Sequence, residues 1–229
     1  MINMKNKVIS LVTILVVIIL AGCEYDNYEP PKSFLTGTVT YNGSPVGVRS
    51  GGTQLELWQY GYALKTKIPV YIAQDGTFSA RLFDGDYKLV RLKGAPWKDQ
   101  TDSISVTVKG NTTIEVPVIP YFTITNPSFD YNSSTGEITS SCTVTKVGTL
   151  NIESLTLYIG VTSIVDANNN SQKHSLSASA LTDLSTPKTN KVTLSATNKA
   201  RQYVYARIGV KTSGVGESLY SPVQKILLQ

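Results

Sequence analysis

Histidine and cysteine are almost absent from this sequence. It holds one histidine, His174, and two cysteines, Cys23 and Cys142, far apart along the chain. That scarcity leaves too few imidazole and thiolate groups for the usual zinc sites. No Gly-x-Ser-x-Gly elbow occurs, and no glycine loop has phosphate-cradling spacing. Charge is thin as well: Asp, Glu, Lys and Arg make up 16% of the residues, and the formal net charge is +5 with no basic run. A nucleic-acid partner is therefore not expected. The nearest approach to a catalytic carboxylate pair is Asp84/Asp86 or Asp99/Asp102. A glycosidase needs two carboxyl groups facing across a cleft, whereas Asp84 and Asp86 flank Gly85 in a tight turn, which turn chemistry explains. A Ca²⁺ site there would lack further oxygen ligands. No catalytic residue, metal site or cofactor is expected.

What the chain does have is Thr, Ser, Val and 13 Tyr, the composition of strands joined by polar turns. Its 229 residues suffice for two small domains.

The N-terminus is a different kind of sequence. Lys5 and Lys7 precede an apolar run from Val8 to Leu20, too short to span a bilayer comfortably. The small residues Ala21 and Gly22 and then Cys23 follow at once. Leu20-Ala21-Gly22-Cys23 resembles a bacterial lipobox, which implies a signal peptide at residues 1–22 and acylation of Cys23. Lipid on Cys23 would tie the protein to a membrane through buried methylenes, about 0.8 kcal/mol each. It would also leave Cys142 unpaired, and its strand-like setting makes it a small buried hydrophobe. Residues 23–33 read as lipidated Cys and tether, acidic at first and stiffened by Pro30-Pro31. Acidic residues just after such a Cys resemble the export signal of Bacteroidetes surface lipoproteins. The expected location is the outer membrane, lipid-anchored and exposed at the cell surface.

Residues 34–119 read as a first all-β domain. Strands are expected at 34–41, 54–59, 67–73, 77–82, 87–92, 103–109 and 111–119, with turns at Asn42-Gly43 and Asp75-Gly76. Short strands at this spacing argue for an antiparallel sandwich. Gly37-Thr38-Val39, Gly43-Ser44-Pro45-Val46, Asp75-Gly76-Thr77-Phe78 and Gly85-Asp86-Tyr87-Lys88-Leu89 resemble the carboxypeptidase-regulatory-like, prealbumin-type β-sandwich. Such domains are usually accessory modules.

Residues 120–229 read as a second all-β domain. Phe122-Thr123-Ile124 opens it, and strands are expected at 137–147, 152–161, 191–195, 202–211 and 221–227. Residues 130–136 and 166–173 read as polar loops, and Leu176–Leu184 as a region with a short helical turn. The Tyr-x-x-Ala-Arg-Ile-Gly-Val run ending at Val210 and the closing Tyr220-Ser221-Pro222-Val223 resemble the last strands of a fibronectin type III or immunoglobulin-like sandwich. The expected fold is all-β: two tandem antiparallel β-sandwiches after a lipoprotein signal peptide.

The candidate binding residues are aromatic. In Gln54–Tyr62, Leu55 and Leu57 take one face of a strand, while Glu56, Trp58 and Tyr60 take the other, with Tyr62 if the strand persists. Rings beside hydrogen-bonding groups suit sugars or a partner protein. The alternative is that Trp58 plugs an inter-sheet gap and Tyr60 and Tyr62 shape a loop. Trp97 is a further candidate ring on a loop, unless it folds over the sandwich end. His174 reads as plain surface. Asp102-Ser103-Ile104 resembles the short sequence on which Bacteroidetes attach O-glycans, with Ser103 as acceptor.

Lipobox, prealbumin-like sandwich and immunoglobulin-like sandwich together resemble an uncharacterised family of Bacteroidetes lipoproteins associated with starch-utilisation-type loci. The resemblance implies a non-catalytic accessory glycan-binding component of a polysaccharide uptake system. Its partners would be the membrane through Cys23, a polysaccharide or oligosaccharide, and outer-membrane uptake proteins. Two alternatives stay open. One is a scaffolding subunit without its own ligand, marked by an apolar patch on the second domain. The other is an adhesin or pilus-like subunit with a detachable strand near 221–229.

Overall fold

The structure, a computed structural model, describes residues 29–61 and 65–228. The signal segment, Cys23 and Tyr62 lie outside the described residues.

Eight strands build the first sandwich. They are β1 (Ser33–Tyr41), β2 (Ser44–Pro45), β3 (Gln54–Gln59), β4 (Lys67–Tyr71), β5 (Thr77–Leu82), β6 (Gly85–Arg91), β7 (Ser103–Val108) and β8 (Asn111–Pro117). One sheet centres on β1, which pairs β2, β5 and β8; the other has the order β4-β3-β6-β7. The pairing is antiparallel except between β1 and β8, which run parallel. Alternation drives this arrangement. Thr77–Leu82 buries Phe78 and Leu82 and exposes the residues between, save for a half-buried Ala80, as one wet face requires. Leu35, Val39 and Val116 from the first sheet meet Leu55, Leu57, Leu89 and Val106 from the second in one apolar cluster. Fully burying a residue such as Leu57 contributes roughly 1.5–3 kcal/mol.

The turn at Asp75-Gly76 accepts only glycine. Gly76 has φ +87, and a Cβ there would stand 2.7 Å from the Val46 carbonyl oxygen, a contact that would force the backbone apart.

The second sandwich contains β9 (Phe122–Asn132), β10 (Glu137–Lys146), β11 (Ile152–Gly160), β12 (Gln172–Ser177), β13 (Lys188–Thr193), β14 (Tyr203–Thr212), β15 (Leu219–Tyr220) and β16 (Gln224–Leu227). Its sheets have the orders β13-β10-β9 and β12-β11-β14-β15, with β16 also on β14. Phe122, Ile138, Cys142, Leu157 and Ile208 are among the residues that fill the space between. Cys142 is a free, buried thiol, as the sequence implies.

Three elements differ from expectation. Residues 172–177 form β12 rather than the end of a loop. The strand is exposed on most positions, so it carries no hydropathy alternation and is held by backbone pairing to β11. The polar segment from 130 onward continues β9, whose pattern is broken by Asn126 at φ 52 and by a register shift opposite Ser141–Thr143. One helical turn at Ala196–Lys199 also forms, its first turn capped by the Ser195 hydroxyl accepting from the Asn198 N–H at 3.3 Å. The short helical turn expected within 176–184 is present at Ala178–Ala180.

Proline placement is consistent across both sandwiches. Pro45 in β2, Pro69 in β4, Pro117 in β8 and Pro127 in β9 each sit in a strand with one neighbour, where the missing N–H breaks no interior ladder.

Candidate functional site

Two surfaces have the character of binding sites. The first is the outer face of the β4-β3-β6-β7 sheet. Leu55 and Leu57 point inward and are fully buried. Trp58 therefore points outward, and it is half-buried. In register, Trp58 faces Lys67 on β4 and Lys88 on β6. Glu56 is less open than its position suggests: Lys67 Nζ lies 2.7 Å from its Oε1, and only 8% of Glu56 is exposed. Gln54 faces Tyr71, which is 56% exposed, and Tyr60 beyond the strand end is 63% exposed. The outer face thus carries one half-buried indole in register with two lysines, with an open phenol at each end of β3.

Trp97 requires a correction. It is 1% exposed and packs in the first core. Lys98 N–H donates to the Ile119 carbonyl at 2.8 Å and Tyr121 N–H to the Pro96 carbonyl at 3.2 Å. These bonds clip the loop to the inter-sandwich linker and draw the ring inward, so it offers no open face. Its Nε1 is buried and has no hydrogen-bond partner among the described residues.

Ser103 opens β7 and is exposed. It pairs with Val90 on the same sheet face as Trp58. Its neighbour Asp102 holds the buried Arg91 guanidinium at 2.6 Å. Asp84 and Asp86 serve the fold: Asp84 accepts from Ser33 Oγ and from the Gly110 N–H, and Asp86 accepts from Thr107 Oγ1. The hydrogen bond from Ser33, then that from Gly110, hold the Asp84 carboxyl below its ordinary range. His174 is exposed, with Nδ1 2.6 Å from Asn190 Oδ1.

The second surface lies between the sandwiches, and sequence reasoning missed it. It depends on Arg207, which is 1% exposed. The guanidinium donates to four backbone carbonyls. Val48 (3.0 Å) and Gln74 (2.6 Å) belong to the first sandwich, Val165 (3.2 Å) and Ser221 (2.7 Å) to the second. Its carbon sits 4.5 Å from the Tyr220 ring centroid. Burial lowers its pKa to about 10, and Tyr220, Asp166 and Asp75 act in the opposite sense. Around it, Arg49 makes a two-pronged ion pair with Glu217, and Tyr220 N–H donates to the Gly47 carbonyl at 2.9 Å. Leu219 of the second sandwich joins the apolar cluster of the first.

Beside this clamp lies an open groove of about 500 Å³. Tyr41, Pro45 and Val46 form one wall, and Ile124, Leu219 and Pro222 the other. Asp75 stands at its edge. The Thr77 hydroxyl and N–H both donate to this carboxylate and lower its pKa.

Family comparison agrees with this two-part architecture. Residues 33–119 match the "Protein of unknown function (DUF3823) N-terminal domain", and residues 122–225 match the "Domain of unknown function (DUF3823_C)". A search of curated proteins gave no match. A DUF3823 family protein of Bacteroides ovatus is 41% identical, with 86% of this chain and all of that one covered, at a TM-score of 0.81. One from Parabacteroides merdae is 31% identical over 86% of this chain and all of that one, at 0.78. A Bacteroides uniformis protein described as "a putative carbohydrate binding protein" shares the fold at 20% identity and TM-score 0.70, covering 86% of this chain and 99% of that one. The chain belongs to the DUF3823 family.

Proposed function

We propose that this chain is a non-catalytic, lipid-anchored surface protein that captures glycan for an outer-membrane polysaccharide uptake system. The observation that carries the glycan reading is the outer face of the β4-β3-β6-β7 sheet, where Trp58 lies between Lys67 and Lys88 with Tyr60 and Tyr71 exposed. Such a face offers a ring for the apolar side of a sugar and donors for its hydroxyls. The relative whose description names carbohydrate binding has this fold. The anchor rests on the lipobox ending at Cys23, and its acylation is read by labelled fatty acid incorporated into wild type but not Cys23→Ser.

The test of glycan capture is affinity electrophoresis of the chain from residue 23, carrying Cys23→Ser, through gels containing plant, host or microbial polysaccharides. All described strands lie downstream of residue 32, so this form keeps every one of them. Retardation by at least one polymer, lost in Trp58→Ala, is expected. No retardation by any polymer rejects glycan capture.

A second reading, a scaffolding subunit, is favoured by a patch on the second sandwich. Leu227, 66% exposed, faces Tyr203 across β14 and β16. Lys225 Nζ sits 3.8 Å from the Tyr203 ring centroid, and the Tyr205 ring packs edge-on to that of Tyr203. Leu227→Asp would release an outer-membrane partner if this patch docks one. The pilus-like alternative would have to pull Ile226 out of the core.

A further inference from the structure

We propose that the groove between the sandwiches is a second glycan site, which takes the uncharged end of an oligosaccharide. The inference rests on the glycan reading above and adds a place and a ligand class to it.

The chemistry of the lining carries the argument. The groove's volume, about 500 Å³, lies in the range of small-ligand sites, and junctions between domains are where such sites tend to form. Its walls are apolar at the half-buried Tyr41 ring, Val46, Ile124 and Leu219. Among the described residues no lysine or arginine lines it, and Asp75 is the one carboxylate in the lining. No cation stands in the lining to hold an anionic ligand, and Asp75 would repel one, so phosphates and uronic acids are disfavoured.

Polar groups around the rim are unspent. The side chains of Asn42, Ser44, Thr123 and Thr125 line the groove, and none of them hydrogen-bonds another described residue. Comparable hydroxyls elsewhere on these sheets are paired, such as Thr36 with Thr113 and Thr156 with Ser175. Gln74, also in the wall, donates its Nε2 to the Ser163 carbonyl and leaves Oε1 buried without a partner. Asp75 has its pKa lowered by the two Thr77 donors, so at neutral pH it is a fixed acceptor. An apolar groove lined also by hydroxyls, an amide and a carboxylate is complementary to a sugar ring, which has apolar faces and a hydroxyl periphery. The clamp at Arg207 sets the two walls, so the site is formed before ligand arrives and less ordering is spent on binding.

The experiment is two-dimensional amide NMR on the Cys23→Ser chain from residue 23, titrated with maltose, cellobiose, xylobiose, mannobiose, lactose and chitobiose at millimolar concentration. At least one disaccharide should shift the amides of Val46, Ile124 and Leu219. Thr125→Trp, which fills the groove from an exposed position, should abolish those shifts with the rest of the spectrum intact. Asp75→Asn, which keeps the turn acceptor, should weaken binding at least fivefold. Trp58→Ala should leave the shifts in place. If no disaccharide moves these amides, or the shifts survive Thr125→Trp, the groove is not a sugar site. Polymer retardation lost in Trp58→Ala, with no disaccharide shift at the groove, would sustain glycan capture while rejecting the groove. Groove shifts without retardation would do the reverse.

Discussion

The Arg207 guanidinium, rooted in the second sandwich, donates from Nη1 to the Val48 carbonyl of the first at 3.0 Å. With Gln74 and Val165 it ties three chain segments to one cation. Arg207→Met removes a buried charge, which offsets part of the loss, but strands four carbonyls at about 1–3 kcal/mol each. The expected outcome is a loss of at least about 3 kcal/mol and a single calorimetric transition that becomes two. Arg207→Lys should not restore it, because a point-like ammonium cannot spread donors over both sandwiches. One unshifted transition in Arg207→Met would refute the clamp.

Gly47 and Tyr220 give a sharper steric test of the same junction. A Cβ on Gly47 would lie 2.3 Å from the Tyr220 carbonyl oxygen, whereas one on Gly216 would meet nothing nearer than the Gly94 oxygen at 3.4 Å. Gly47→Ala should therefore lower the urea midpoint clearly and Gly216→Ala hardly at all. Equal midpoints would mean that the junction gives way more easily than its geometry implies.

The two tryptophans should separate in a quenching experiment. With Trp58→Phe, the remaining Trp97 is core-buried and should resist acrylamide in the native chain. With Trp97→Phe, the remaining Trp58 is half-buried and should quench more readily. A protected Trp58 would remove it as a stacking ring.

Cys142 supplies a prediction in pH. Burial raises its thiol pKa from 9.0 to about 11. Above 9 the unfolded chain gives up this proton while the native chain keeps it. The unfolded state then binds fewer protons, and stability falls as pH rises. The contribution is complete below 9 and is lost as pH climbs through about 11, on the order of 2 kcal/mol. Urea titrations at about pH 8 and about pH 10.5 should show a smaller fall for Cys142→Ala than for wild type. Parallel falls would clear the thiol of any part in the loss.

Strands with one wet face were legible in the sequence: Gln54–Gln59 and Thr77–Leu82 have the expected bounds. The unread elements have physical reasons. Gln172–Ser177 exposes both faces at a sheet edge, so hydropathy carries no period there. The side of the strand on which Trp58 stands follows from Leu55 and Leu57, but its shielding does not. Trp97 was ambiguous because a ring on a Gly-Ala-Pro loop can fold inward or stay open, and two backbone bonds to the linker decide it. The groove was invisible because its walls come from residues about 41–46, 75, 120–125 and 219–222. Arg207 alternates with Tyr203 and Tyr205 against Val204, Ala206 and Ile208, so it reads as an ordinary residue of the strand's polar face, and its burial was not legible.

The prolines at positions 45, 69, 117 and 127 bear on how many copies can live side by side. A strand with one neighbour leaves a row of backbone groups on which another chain could template a ladder, and each proline deletes a rung from that row. Chains at high local concentration collide edge to edge far more often than dilute ones. At four edges of this molecule such a collision finds an interrupted template, so copies can crowd without joining into fibrils.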